Sequence, residues 1–443
     1  MRKLVEDIRR PGPGGPERCV QWECKNATMR FGIFYEHQLP RPWGPDDEYQ
    51  LLQDALDQVE LADRLGIDHV WEVEHHFLEE YSHSSAPEVF LAAASQRTQR
   101  IRLGHGIVQL PLAFNHTARV AERAATLDLL SNGRVELGTG EASSEAELGG
   151  FGVDRATKRD QWAEALDALT RMMVEEPFQG ADGPYLQMPP RNVVPKPRQK
   201  PHPPLWVACS RKETIHLAAE KGIGALSFSF VNPDEAKHWV DDYYTTLASE
   251  ACVPAGFDVN ANLAVVLPFM CHDDEQTAID RGLDGGHFFG FSLLHYAFGQ
   301  HQPGVTNIWD EFQEKRSAFG FDRTIASGTG GHLGATIEQN GIGSLRGAIG
   351  TPDQVRDLLR AYEDVGVDQV IFVAQAGRNR HEHICESLEL FAAEVLPGFA
   401  ERADAAEAAK RDRLAPAVEA ALARRSPARE PGGDYRIPAA MQV

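Results

Sequence analysis

Cysteine is scarce in this 443-residue chain: six residues, at positions 19, 24, 209, 252, 271 and 385, with no C-x-x-C pair among them. That density excludes a disulfide-built scaffold and suits a reducing, cytoplasmic setting. No apolar run approaches the roughly 18 residues of a membrane span. The basic residues of the first ten positions lead into a Pro/Gly cluster at 11–16, not into the apolar stretch of a secretory signal. Positive charge is also short, since 44 Lys+Arg against 65 Asp+Glu leave a net charge of −21 with no basic block to override it. Nucleic acid and membrane surfaces are therefore not expected as partners.

What the chain does have is alternation. Short apolar runs at 29–35, 68–73, 101–107, 135–138, 205–208, 225–228, 263–269 and 369–372 read as strands. Helical spacing follows all but the seventh of them, at 46–65, 87–96, 116–130, 158–175, 211–221, 233–247 and 382–396. Eight such units predict an α/β fold, a closed (β/α)8 TIM barrel, with an open doubly wound sheet as the alternative. Residues 1–28 read as an irregular arm, 29–398 as the barrel and 399–443 as a helical tail. The Pro-rich stretch 178–204 reads as an extended surface loop. Residues 273–349, between strands 7 and 8, read as an irregular lid insertion rich in Phe, Tyr and Trp.

In such a barrel chemistry sits at the strand C-termini. The second strand ends in Glu74-His75-His76-Phe77, the densest ionisable cluster at any strand end, and histidine exchanges protons near neutral pH. A buried histidine satisfied by a neighbouring carboxylate is the plainer reading of the same residues. Metal binding is not expected: Glu36, His37 and His105 stand at other strand ends, but adjacent His75 and His76 face opposite ways, and His381-Glu382-His383 opens a helix. Ser210-Arg211-Lys212-Glu213 matches an S-x-x-E capping box, and equally a phosphate site made of backbone N–H groups, a hydroxyl and cations. The Gly-rich run Leu137-Gly138-Thr139-Gly140-Glu141 is no dinucleotide fingerprint, although small residues at a strand end let a flat ligand approach the backbone. Cys209 has no nearby histidine to activate it as a nucleophile.

Together these motifs resemble the bacterial luciferase-like, flavin-dependent monooxygenases. The likeness runs from 29 to about 398. It rests on Met29-Arg30-Phe31-Gly32-Ile33-Phe34, on 62–68 (Ala-Asp-Arg-Leu-Gly-Ile-Asp) leading to Trp71 and Glu74-His75-His76-Phe77, and on 127–134 (Leu-Asp-Leu-Leu-Ser-Asn-Gly-Arg). Phe151-Gly152-Val153-Asp154 with Arg159, and Gly350-Thr351-Pro352, complete it.

The resemblance implies FMN at the strand C-termini, supplied reduced by a separate flavin reductase. With O2 it would oxygenate a small hydrophobic or aromatic organic substrate. A homodimer through the helices at 87–96 and 116–130 is implied as well. His76 matches the family's catalytic histidine, with His75 and Glu74 beside it. Ile107 and Val108 match the segment beneath the flavin ring, where a non-proline cis peptide is often found; Gly140 adds a close backbone approach. Arg159 matches a phosphate-binding arginine, and Cys209 with Ser210 match the strand end that holds the phosphate. Glu141 stands where the luciferase itself has an arginine, and Thr139-Gly140 replace its reactive-cysteine neighbourhood, which argues against light emission. The rival on the same fold is a deazaflavin-dependent oxidoreductase transferring hydride, whose longer anionic cofactor suits an acidic chain poorly. A non-catalytic flavin-binding protein is the third reading.

Overall fold

A computed structural model describes residues 29–228, 230–316, 346–433 and 435–437. The expected arm at 1–28 and part of the insertion, 317–345, lie outside the described residues. Eight parallel strands form the centre: β1 (Arg30–Tyr35), β2 (His69–Glu72), β3 (Arg102–His105), β4 (Val135–Thr139), β5 (Leu205–Cys209), β6 (Gly224–Ser227), β7 (Leu263–Cys271) and β8 (Gln369–Val373). Each pairs with the next, and β8 pairs with β1, so the sheet closes on itself. This is the expected (β/α)8 barrel, and closure rules out the open sheet.

Burial on both faces explains why these strands read as continuous apolar runs. Outward residues such as Phe31, Ile33, Leu103, Leu137, Val207 and Phe372 pack beneath the helices. Those helices are α1 (Asp47–Leu65), α2 (Pro87–Arg97), α3 (Thr117–Leu130), α4 (Glu145–Phe151), α5 (Lys158–Val174), α6 (Lys212–Glu220), α7 (Pro233–Leu247), α8 (Glu275–Phe298), α9 (Ile308–Lys315), α10 (Pro352–Val365), α11 (His381–Glu394) and α12 (Pro397–Arg424). The inward face carries two large indoles, Trp71 and Trp206, edge to face at 5.2 Å. Glycine makes room for them: a Cβ on Gly104 would lie 2.2 Å from the Trp71 ring, and one on Gly224 2.3 Å from Trp206. α12 crosses the N-terminal end of the barrel, where Lys410 Nζ donates to Asp368 Oδ1 (2.7 Å) and Asn262 Oδ1 (2.6 Å).

The insertion corrects the reading as irregular. Its described part is the 24-residue α8, then α9. Gly282, Gly285, Gly286 and Gly290 weaken the helical signal in the sequence, yet a Cβ on Gly285 would lie 2.5 Å from the Ala376 carbonyl and one on Gly282 2.4 Å from Met270. Tertiary contact, not propensity, holds this helix against the barrel. The Pro-rich stretch carries a two-stranded ribbon pairing Ala181 with Met188. An open groove of about 520 Å³ runs along it to Arg429, on an α-to-β connection, at the opposite end from the strand C-termini.

Candidate functional site

Just past β2 the chain turns back, and Phe77 and Glu79 have positive φ. His37, Ala142 and Phe230 share that conformation beyond β1, β4 and β6, so five of the six such non-glycine residues described ring the barrel's C-terminal mouth. Left-handed backbone at bulky residues is costly and concentrates where surrounding structure imposes a working geometry.

The three residues of the β2 cluster divide between two environments. His75 turns toward the mouth: its Nδ1 lies 2.9 Å from Glu147 Oε1, its Nε2 3.7 Å from Glu36 Oε2, and its ring 5.7 Å from Tyr81. Tyr81 Oη donates to Glu36 Oε1 at 2.9 Å. Burial would push His75 down, but the Glu147 and Glu36 carboxylates outweigh it and hold the imidazolium up to about 9. Burial pushes Glu36 up to about 7, against the pull of His75, Tyr81 and Ser82. His76 lies at the rim, Nε2 3.1 Å from Glu74 Oε1 and its ring 4.9 Å from Phe151. Glu74 is fixed in turn by the Gln109 N–H (2.7 Å) and Asn115 Nδ2 (2.7 Å).

Glu147, Gln109, Asn115 and Tyr81 escaped the sequence reading. Glu147 had a signal: Ser144-Glu145-Ala146-Glu147 is an S-x-x-E helix start, and Ser144 Oγ does accept from the Ala146 and Glu147 N–H groups. The Glu147 carboxylate, however, serves His75 and the His76 N–H (3.2 Å) rather than the cap.

Other expected site residues are rearranged. Ile107 faces the inner cluster, whereas Val108 packs outward beneath the helices and cannot present its side chain to the mouth. The cis peptides among the described residues all precede proline, so the Ile107–Val108 bond is trans, consistent with the cost of about 3–4 kcal/mol for a non-proline cis bond. Cys209 also points outward and is buried, which pushes its thiol up; neither a nucleophile nor a ligand-facing side chain fits it. The capping box at Ser210 is not formed: Arg211 holds the N-cap of α6, without a side-chain cap bond, and Ser210 is exposed. Gly140 forms a parallel bridge with Gln109, its N–H donating to the Val108 carbonyl at 2.9 Å and its carbonyl accepting from the Leu110 N–H at 3.0 Å, and a Cβ on it would lie 3.2 Å from Ile107. Arg159 grips Glu141 with two hydrogen bonds, Nε to Oε2 at 2.7 Å and Nη2 to Oε1 at 2.8 Å.

Above these groups sits the insertion. Phe289 lies against Phe34 (6.3 Å), Tyr81 (5.7 Å) and Phe230 (5.5 Å), and Phe228 against Phe34 (5.2 Å). Fully buried Glu80 ties it down, accepting from the Ile308 (2.6 Å) and Trp309 (3.1 Å) N–H groups at the start of α9. Among the described residues no group of His, Cys, Asp and Glu is arranged to hold a metal ion, and no helix is long and apolar enough to cross a membrane.

Residues 29–369 match the family model described as luciferase-like monooxygenase. The chain belongs to this family. A 4-hydroxyprotoasukamycin monooxygenase of Streptomyces nodosus subsp. asukaensis is 32% identical over 58% of the chain and 68% of that protein. The oxygenase component of a flavin-dependent trigonelline monooxygenase of Acinetobacter baylyi is 26% identical over 84% of the chain and 96% of its own length. A crystal structure of a monooxygenase from Streptomyces bottropensis superposes with a TM-score of 0.66 at 25% identity, covering 84% of the chain and all of that protein.

Proposed function

We propose that the protein is the oxygenase component of a two-component monooxygenase that takes reduced FMN from a separate flavin reductase. With O2 it oxygenates a small hydrophobic or aromatic organic molecule. The observation that carries this reading is the half-buried His75 held between the buried Glu36 and Glu147 carboxylates beneath an aromatic lid, at the mouth where barrel enzymes react.

The mouth fits a flat ring with a polar edge. Gln109 Oε1, Glu36 Oε2, Glu147 Oε2 and Ser227 Oγ are buried there without hydrogen-bond partners, and Gly140 leaves room beside Ile107. Arg159, Lys158 and the start of α6 supply cations and N–H groups for a phosphate. When bound, reduced flavin supplies the two electrons that activate O2, one oxygen atom entering the substrate and the other leaving as water. His75 holds a proton on the imidazolium within reach of that chemistry. Glu74 orients His76, a second proton-carrying group at the rim. Phe289, Phe34, Phe228 and Phe230 exclude water and give the substrate an apolar wall.

The protein works as a homodimer in this reading, through α2 and α3, whose Val89, Leu129 and Leu130 are exposed. The test supplies reductase-generated reduced FMN under labelled O2 with a panel of aromatic and terpenoid compounds. A product carrying one labelled oxygen, with peroxide release falling as it forms, is expected. Failure to bind FMN, with hydride transfer from a reduced deazaflavin instead, would replace this reading by its rival.

A further inference from the structure

The cations at the rim between β4 and β5 are already engaged. Glu141, two residues past β4, receives both donors of the Arg159 fork and lies 3.2 Å from Lys158 Nζ, which also donates to the Ala142 carbonyl at 2.6 Å. Arg159 lies within electrostatic reach of the neutral Cys209 thiol, at the last residue of β5, so the cluster faces the start of α6. There Arg211 and Lys212 are exposed, and the Arg211 side chain at the N-cap makes no cap bond.

We infer that Glu141 is a built-in competitor for the flavin phosphate, holding the Arg159 fork and the Lys158 ammonium that a phosphate monoester must share, and thereby setting how strongly the site prefers FMN to riboflavin. The inference rests on the flavin reading above. Its chemistry is that of the guanidinium: the planar fork that grips one carboxylate with two parallel bonds grips a phosphate in the same way, so the two anions call on the same donors. Glu141 is a permanent anion. Burial alone would raise its carboxyl, but Arg159 and Lys158 hold it below the usual carboxylate range. Two cations less one carboxylate leave a single positive charge to meet a phosphate of nearly two negative charges. The net charge of −21 adds an unfavourable background, which makes local neutralisation at this rim count for more. A purely structural ion pair tying β4 to α5 would instead affect both flavins alike, since riboflavin lacks only the phosphate.

The full-length protein is titrated with oxidised FMN and with riboflavin, following flavin fluorescence. Glu141→Gln keeps the shape and removes the charge; it is expected to tighten FMN about tenfold and to steepen its salt dependence, while riboflavin moves less than about twofold. Adding Arg159→Gln should cancel the gain, and Glu141→Asp, which keeps the charge, should leave the FMN-to-riboflavin ratio within about threefold of the parent. Equal changes for the two flavins, or weaker FMN binding by Glu141→Gln, would overturn the inference. Absence of binding by either flavin, in the parent and in every variant, would overturn the flavin reading along with it.

Discussion

Two histidines leave β2 in opposite electrostatic worlds. His69, at its first residue, is buried at the N-terminal end of the barrel between Arg102 and Arg30, and burial together with both cations pushes it well below its ordinary 6.5. His75, just past the other end, is flanked by Glu147 and Glu36 and stands near 9. The lower end also satisfies its carboxylate: Glu136 pairs with Arg102 through one oxygen and accepts from Trp206 Nε1 (2.7 Å) through the other. At the mouth Glu36 and Glu147 each keep one buried oxygen without a hydrogen-bond partner. The lower end keeps unpartnered buried atoms too, His69 Nδ1 and Gln369 Nε2, so charge is what separates the ends: cations press on one imidazole and carboxylates on the other, and perturbed groups of the second kind are the ones that mark working sites.

The sharpest way to break this contrast is to remove each imidazole in turn. His75→Gln should lower the oxygenation rate with reduced FMN by roughly 10²- to 10⁴-fold, the usual worth of a positioned proton-transfer group, while His69→Gln stays within about threefold. His76→Ala, acting from the rim, should cost about tenfold. Steady-state product formation checks all three, and equal losses for His69→Gln and His75→Gln would erase the distinction between the ends.

Next in size is the lid. Phe289→Ala removes a fully buried ring and should destabilise the fold by about 3–5 kcal/mol in urea unfolding. It should also raise peroxide release at the expense of product, because water gains access to the mouth.

The pH dependence of stability separates the histidines again. A His75 held above 6.5 in the folded state binds its proton more tightly than in the unfolded chain. Its contribution, up to about 3 kcal/mol, is therefore full below pH 6.5 and lost as pH rises through 9. His69 is depressed, so the folded state loses stability as pH falls below 6.5. His75→Gln should flatten the alkaline limb of a Tm–pH profile and His69→Gln the acidic one. The smallest effect expected is from Ser144→Ala, which removes the cap of the helix carrying Glu147: about 1 kcal/mol of stability, with the His75 titration moving down.

The barrel was legible because parallel strands buried on both faces leave apolar runs of fixed length between helical segments. Eight such runs admit few arrangements. The lid helix was not, because the glycines of α8 that lower its propensity are the ones that let it approach Met270 and Ala376. At the site, Glu74, His75 and His76 stood out by density alone. Which of the two histidines faces the mouth depends on the turn at Phe77, and on Glu147 reaching across from α4, 71 residues beyond His76. Strand alternation did hold one unused clue: with Trp206 inward, neither Val207 nor Cys209 could face a ligand, and both point outward.

The most direct test of the account is the titration of His75 itself, followed by NMR on protein labelled with 13C-histidine and assigned by comparison with His75→Gln. The account predicts an imidazolium that persists through pH 8 and loses its proton near 9. A His75 resonance titrating at or below 6.5 would contradict it, because the mouth would then hold no charged proton donor beneath the lid.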